Sequence, residues 1–175
     1  MRIIGLDLSL TAPGWYFCDT ARPQNAQCGT WQPQGRGLDR MDWICRKVLH
    51  LLPEAGSGAQ VILEGFAFGA KGAAVYEIAG FGYIVRLALR YRSVPVLEVA
   101  PSQLKKYATG KGNATKEIII REVYKRWGFE ARDNNEADAF VLGQIGLALA
   151  GLSEPATEFQ RAVLKDLAKA GKVAA

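Results

Sequence analysis

The chain is short of the residues on which much enzyme chemistry depends. It has one histidine, His50, in 175 residues, so Ser/His/Asp and Cys/His hydrolysis have a single candidate imidazole. That residue closes an amphipathic segment just before Leu51-Leu52-Pro53 and reads as a helix-end residue. Cysteine is nearly as scarce. Cys18, Cys28 and Cys45 are odd in number, lack C-x-x-C spacing and have only His50 as a nitrogen co-ligand, which argues against a zinc module or a secreted disulfide framework. No apolar run approaches the roughly 18 to 20 residues needed to cross a bilayer. Asp7 falls where a leader peptide would continue its apolar core. The expectation is one domain in a reducing cytoplasm, neither secreted nor membrane-spanning, and long enough to fold without a staple.

What remains is an ordinary globular composition, 49% hydrophobic and 22% charged. Lys and Arg number 22 against 17 Asp and Glu, and the net charge of +5 suits a polyanionic partner. Residues 2 to 8 read as a buried strand, Pro13-Gly14 as a turn, and Trp15 to Cys18 and Ala26 to Trp31 as two further strands of an antiparallel meander. Leu38, Met41, Ile44, Cys45, Val48 and Leu52 recur at helical spacing. Gln60 to Glu64 and Val94 to Val99 read as strands, separated by a helix over 73–91 that contains Gly80 and Gly82 and gathers Arg86, Arg90 and Arg92 toward its end. A short helix follows Pro101, then a basic loop from Thr109 to Ala114, helices over 115–127 and 134–150, and an Ala-rich weak helix in the tail. This order predicts an α/β domain over 1–152, with a mixed five-stranded sheet of three antiparallel strands followed by parallel crossovers, flanked by helices. Residues 153–175 are expected to form a basic, peripheral or frayed tail.

Charge in apolar strands marks the chemistry. Asp7 sits in the first strand and Glu64 ends the run Val61-Ile62-Leu63, positions that charges rarely occupy unless paired or bound to a cation. If the two strands are parallel neighbours, both carboxylates lie near strand carboxyl ends, where open α/β sheets build their sites. Asp138 lies one turn into the last core helix. Asn135 shares its face, Glu136 is rotated about 200° away, and Asp133 suits a cap. Three carboxylates without a compensating histidine favour Mg²⁺ or Mn²⁺ over zinc. Two such ions about 3.5 to 4 Å apart can activate a water and stabilise a leaving oxygen in phosphoryl displacement.

The segments Gly5-Leu6-Asp7-Leu8-Ser9-Leu10-Thr11-Ala12-Pro13-Gly14-Trp15, Leu63-Glu64-Gly65-Phe66-Ala67-Phe68-Gly69-Ala70-Lys71 and Asn135-Glu136-Ala137-Asp138-Ala139, joined by the basic segment Thr109 to Lys116, resemble the three acidic motifs of RuvC-type Holliday-junction resolvases in the RNase H-like superfamily. The resemblance covers roughly residues 2 to 150. It implies an RNase H-like sheet, Mg²⁺-dependent paired nicking of four-way DNA junctions, no small-molecule cofactor and a homodimer, for which Ala79 to Tyr83 is the candidate interface. By resemblance Asp7, Glu64 and Asp138 are the metal-binding and catalytic acids. The family's fourth acid falls at Asn135, where an amide oxygen or the neighbouring Glu136 or Asp133 would have to serve. Lys105 and Lys116 match basic positions near the scissile phosphate, with a catalytic role for Lys116. Lys106, Lys111, Lys71, Phe66 and Phe68 are further candidate DNA contacts. The alternatives are another RNase H-like nuclease acting on hybrids or flaps, a junction-binding protein with an impaired second metal site, and a kinase-like phosphate binder, for which the chain is a lobe too short.

Overall fold

The computed structural model describes residues 1–54, 58–66 and 74–171. In chain order they form strands β1 (Arg2–Asp7), β2 (Gly14–Asp19) and β3 (Gln27–Thr30), helix α1 (Gly37–His50), strand β4 (Ala59–Glu64), helix α2 (Ala74–Tyr91), strand β5 (Val96–Val99), and helices α3 (Pro101–Thr109), α4 (Lys116–Trp127), α5 (Asn134–Leu149) and α6 (Glu158–Gly171). The sheet order is β3-β2-β1-β4-β5. β1 pairs antiparallel with β2, and β2 with β3, whereas β4 runs parallel to both β1 and β5. The expected meander and crossovers are both present.

Alternation along the strands sorts side chains onto two faces. Ile4, Leu6, Val61 and Leu63 point into a core shared with α1 and α2. Ile3, Tyr16 and Ile62 point into a second core built with α3, α4, α5 and α6. By the same alternation Asp7 and Glu64 project on the second face, the one that α5 covers. The contact there is unusually close. A Cβ on Gly5 would stand 2.5 Å from the Ala139 carbonyl oxygen, and one on Gly143 would enter the ring of Tyr16. Only glycine lets the α5 backbone rest directly on β1 and β2, and α5, buried around most of its circumference, is thereby held over the strand end that carries Asp7.

Two expectations change. Leu38 belongs to the predicted apolar stripe of α1, but it stands in the first turn of the helix and is 74% exposed. The tail is not peripheral over its helical part: Val163 and Leu167 of α6 are buried in the second core, and α6 packs against α3. Its buried positions, Gln160, Val163 and Leu167, recur at three and four residues, a stripe with only two apolar members. Gly80 meets open space, while a Cβ on Gly82 would strike the ring of Phe66. The close approach at that pair therefore involves the loop after β4.

Candidate active site

Leu6 pairs with Leu63 in parallel register, so Asp7 and Glu64 emerge side by side from the carboxyl ends of adjacent strands. α5 brings Asp138 in from above. Asp7 is 8% exposed, and Glu64 and Asp138 are half-buried. Burial pushes the Asp7 carboxyl well above its ordinary value, and the charge of Glu64, within proton-sharing reach, and then that of Asp138 push it further. Burial, then Glu64, pushes Asp138 up to about 7. Glu64 is raised by burial, against which Asp7, Lys105 and Lys116 act. Asp138 Oδ1 is buried without a hydrogen-bond partner, an acceptor lacking the positive charge or donor that burial ordinarily demands. As they stand, the acids do not close on one point: among the described residues no group of three or more Asp, Glu, His or Cys side chains forms a ready metal cage. The donors are all oxygen, the set that hard divalent cations prefer.

Lys105 on α3 and Lys116 at the start of α4 both draw Glu64 and Asp138 back toward the charged form, which places the two ammonium groups within electrostatic reach of the acids. Lys106 and Lys111 are exposed, and neither contributes to the acids' shifts.

The helix-start candidates divide. Asp133 caps α5, accepting the Glu136 N–H at 2.9 Å and the Thr30 hydroxyl at 3.3 Å. Glu136 does not join the acids. It is 2% exposed, accepts the Arg132 N–H at 2.6 Å and faces the Arg132 guanidinium at 3.8 Å, as its rotation around the helix requires. The Asn135 side chain is also engaged: its Nδ2 donates to the Ala12 carbonyl at 2.6 Å and its Oδ1 accepts from Asn134.

Phe66, half-buried, packs against α2, tilted on Tyr83 at 5.3 Å, with the Arg86 guanidinium 4.3 Å from its centroid. Arg86 donates to Glu98 at 2.6 Å and to the Gly82 carbonyl at 3.0 Å. A cavity of about 140 Å³ lies between these groups and Glu64. Read from sequence, Arg86 complements a helix dipole; its place on the wall of the cavity that Glu64 also lines depends on a loop contact that helical periodicity does not encode. Phe68 and Lys71 lie outside the described residues.

No protein-family model matches the chain. The crossover junction endodeoxyribonuclease RuvC of Synechococcus sp. (strain WH7803) is 26% identical over 155 residues, covering 83% of this chain and 97% of that protein. Its namesake from Prochlorococcus marinus (strain MIT 9211) is 29% identical over 153 residues, 81% of this chain and 92% of that one. Among solved structures, Thermus thermophilus RuvC in complex with its Holliday junction substrate matches with a TM-score of 0.62 at 24% identity, over 89% of this chain and 99% of the other. The fold is thus RNase H-like, and the sequence similarity spans nearly the full length of the named relatives.

Proposed function

We infer that this chain belongs with the RuvC-type Holliday-junction resolvases and is a crossover-junction endodeoxyribonuclease that cuts four-way DNA junctions by phosphodiester hydrolysis. The observation that carries this reading is that Asp7 and Glu64 end adjacent parallel strands beneath the helix that bears Asp138, in a chain whose sequence follows named RuvC proteins over four fifths of its length.

The cofactor assigned to the site is Mg²⁺, with Mn²⁺ able to replace it. Asp7, Glu64 and Asp138 would hold it, since the buried, unpartnered Asp138 Oδ1 and the mutual repulsion of the three acids both call for a hard cation. Such an ion, when bound, supplies a water of lowered pKa and positive charge for the leaving oxygen. Lys105 and Lys116 take the scissile phosphate and offset the charge that builds on it, Lys116 from the exposed first turn of α4. Lys106 and Lys111, facing solvent, contact backbone phosphates without sequence preference. Phe66, Phe68 and Lys71, which follow Glu64 in the chain, remain assigned to the DNA surface. The acting unit is a homodimer joined through α2, whose outer face exposes Tyr76, Tyr83, Ile84, Leu87 and Tyr91. A two-fold pair of sites matches the dyad of a four-way junction.

The test is incubation with a labelled four-way junction, a linear duplex and an RNA–DNA hybrid, in Mg²⁺, Mn²⁺ or EDTA, beside Asp7→Asn. Paired symmetric nicks in the junction alone, lost in EDTA and in the variant, are expected. Equal cutting of duplex or hybrid would overturn the junction assignment, and tight binding without cutting under either metal would reduce the protein to a binding module.

A further inference from the structure

We propose that Asn135 is a latch, a positioning residue that ties the loop after β1 to the first turn of α5 and so fixes Asp7 relative to Asp138; it is not itself a ligand. Asp7 ends β1, residues 8–13 follow, and Gly14 begins β2. Within the loop, the Ser9 hydroxyl accepts the N–H groups of Thr11 and Ala12, each at 3.3 Å. From outside it, Asn135 is the side chain that hydrogen-bonds to the loop among the described residues, through Nδ2 to the Ala12 carbonyl at 2.6 Å. A carbonyl only accepts, so the partner itself decides which way the amide faces. The other end of the amide is taken by Asn134. The loop's exit is equally close: a Cβ on Gly14 would run into the main-chain carbonyl of Asn135.

The chemistry separates an amide from a carboxylate at this position. An ionised aspartate has no proton to give and would set a negative oxygen against the Ala12 carbonyl. One turn farther along the same helix stands Asp138, so a loop released from residue 135 loosens the framework that sets two acids from different elements against each other. The effect on cleavage rests on the nuclease reading; the latch does not.

The decisive measurement is amide hydrogen exchange over residues 8–12 in EDTA, for wild type, Asn135→Ala, Asn135→Asp and the control Asn134→Ala. Losing one hydrogen bond worth about 1.4 kcal/mol corresponds to roughly tenfold faster exchange, and this is expected in both Asn135 variants but not in Asn134→Ala. In junction cleavage, Asn135→Ala should lower kcat about tenfold with KM nearly unchanged. If Asn135→Ala fails to fold, Asn135→Ser, which also cannot reach Ala12, takes its place. Unchanged loop exchange in both variants overturns the latch. So does weaker Mn²⁺ binding by Asn135→Ala, measured calorimetrically, with loop protection intact, because that is the signature of a ligand. A wild type that cuts no junction removes the nuclease reading and leaves the exchange comparison to decide the latch by itself.

Discussion

Asp7 concentrates the electrostatic tension of the molecule: nearly buried, beside Glu64 and facing Asp138, with Lys116 opposing the shift. Asp7→Asn should abolish cleavage, by a factor of 100 or more, while raising the melting temperature in EDTA by a few degrees, since it removes a buried charge that has no cation. The pH dependence follows from the same geometry. Burial and Glu64 push Asp138 up to about 7 in the folded protein from an ordinary value of 3.8, so the metal-free folded state keeps a proton that the unfolded chain has lost. Stability therefore falls as pH rises between those values, and the protonated acid's contribution is gone above the folded value. Thermal melts in EDTA from about pH 5 to about pH 8 should decline steadily. Mg²⁺ or Asp138→Asn should flatten the decline, and a flat wild-type curve in EDTA would contradict the assigned tension. Lys116→Ala should lower kcat about 10- to 100-fold and steepen the same decline, because Lys116 draws down all three acids. At this scale the acids were legible because charge seldom ends an apolar strand. The Asn135 contact was not, since its partner Ala12 is 123 residues away and no local pattern carries such a pairing.

At the scale of elements, the strands and helices follow from periodicity, and the departures have identifiable causes. Apolar runs located β1 and β4, whereas the face on which Asp7 and Glu64 emerge is set by the register of the sheet and the helix laid over it. Helical spacing marked α1 and α2, but the exposure of Leu38 in the first turn of α1 depends on what the rest of the fold sets against it. The α6 docking was hidden because its buried stripe holds few large residues, and docking depends on a groove made by other helices. Leu167→Ala, at a side chain 1% exposed, should cost about 2 to 5 kcal/mol in denaturant melts. Lys165→Ala, on the exposed side, should change stability by less than about 0.5 kcal/mol. Equal effects would mean that α6 does not belong to the core. Gly143→Ala should also destabilise, by about 1 to 3 kcal/mol or more, because the methyl group meets the Tyr16 ring.

For the whole molecule, the exposed aromatic and aliphatic face of α2 is the feature that a lone protomer explains least. Leu87→Glu, at a residue 49% exposed, should leave the fold intact and convert a dimer to a monomer in sedimentation velocity, with loss of paired nicking. A wild type that sediments as a monomer at micromolar concentration would remove α2 as the interface.

The three acids stand at positions 7, 64 and 138, on β1, β4 and α5. A chain emerging from the ribosome presents the first two long before the third, and domains form as units once their last core element is available. The growing polypeptide therefore carries only two of the three acids until synthesis has reached α5, and the third arrives on the helix that covers the sheet's second face.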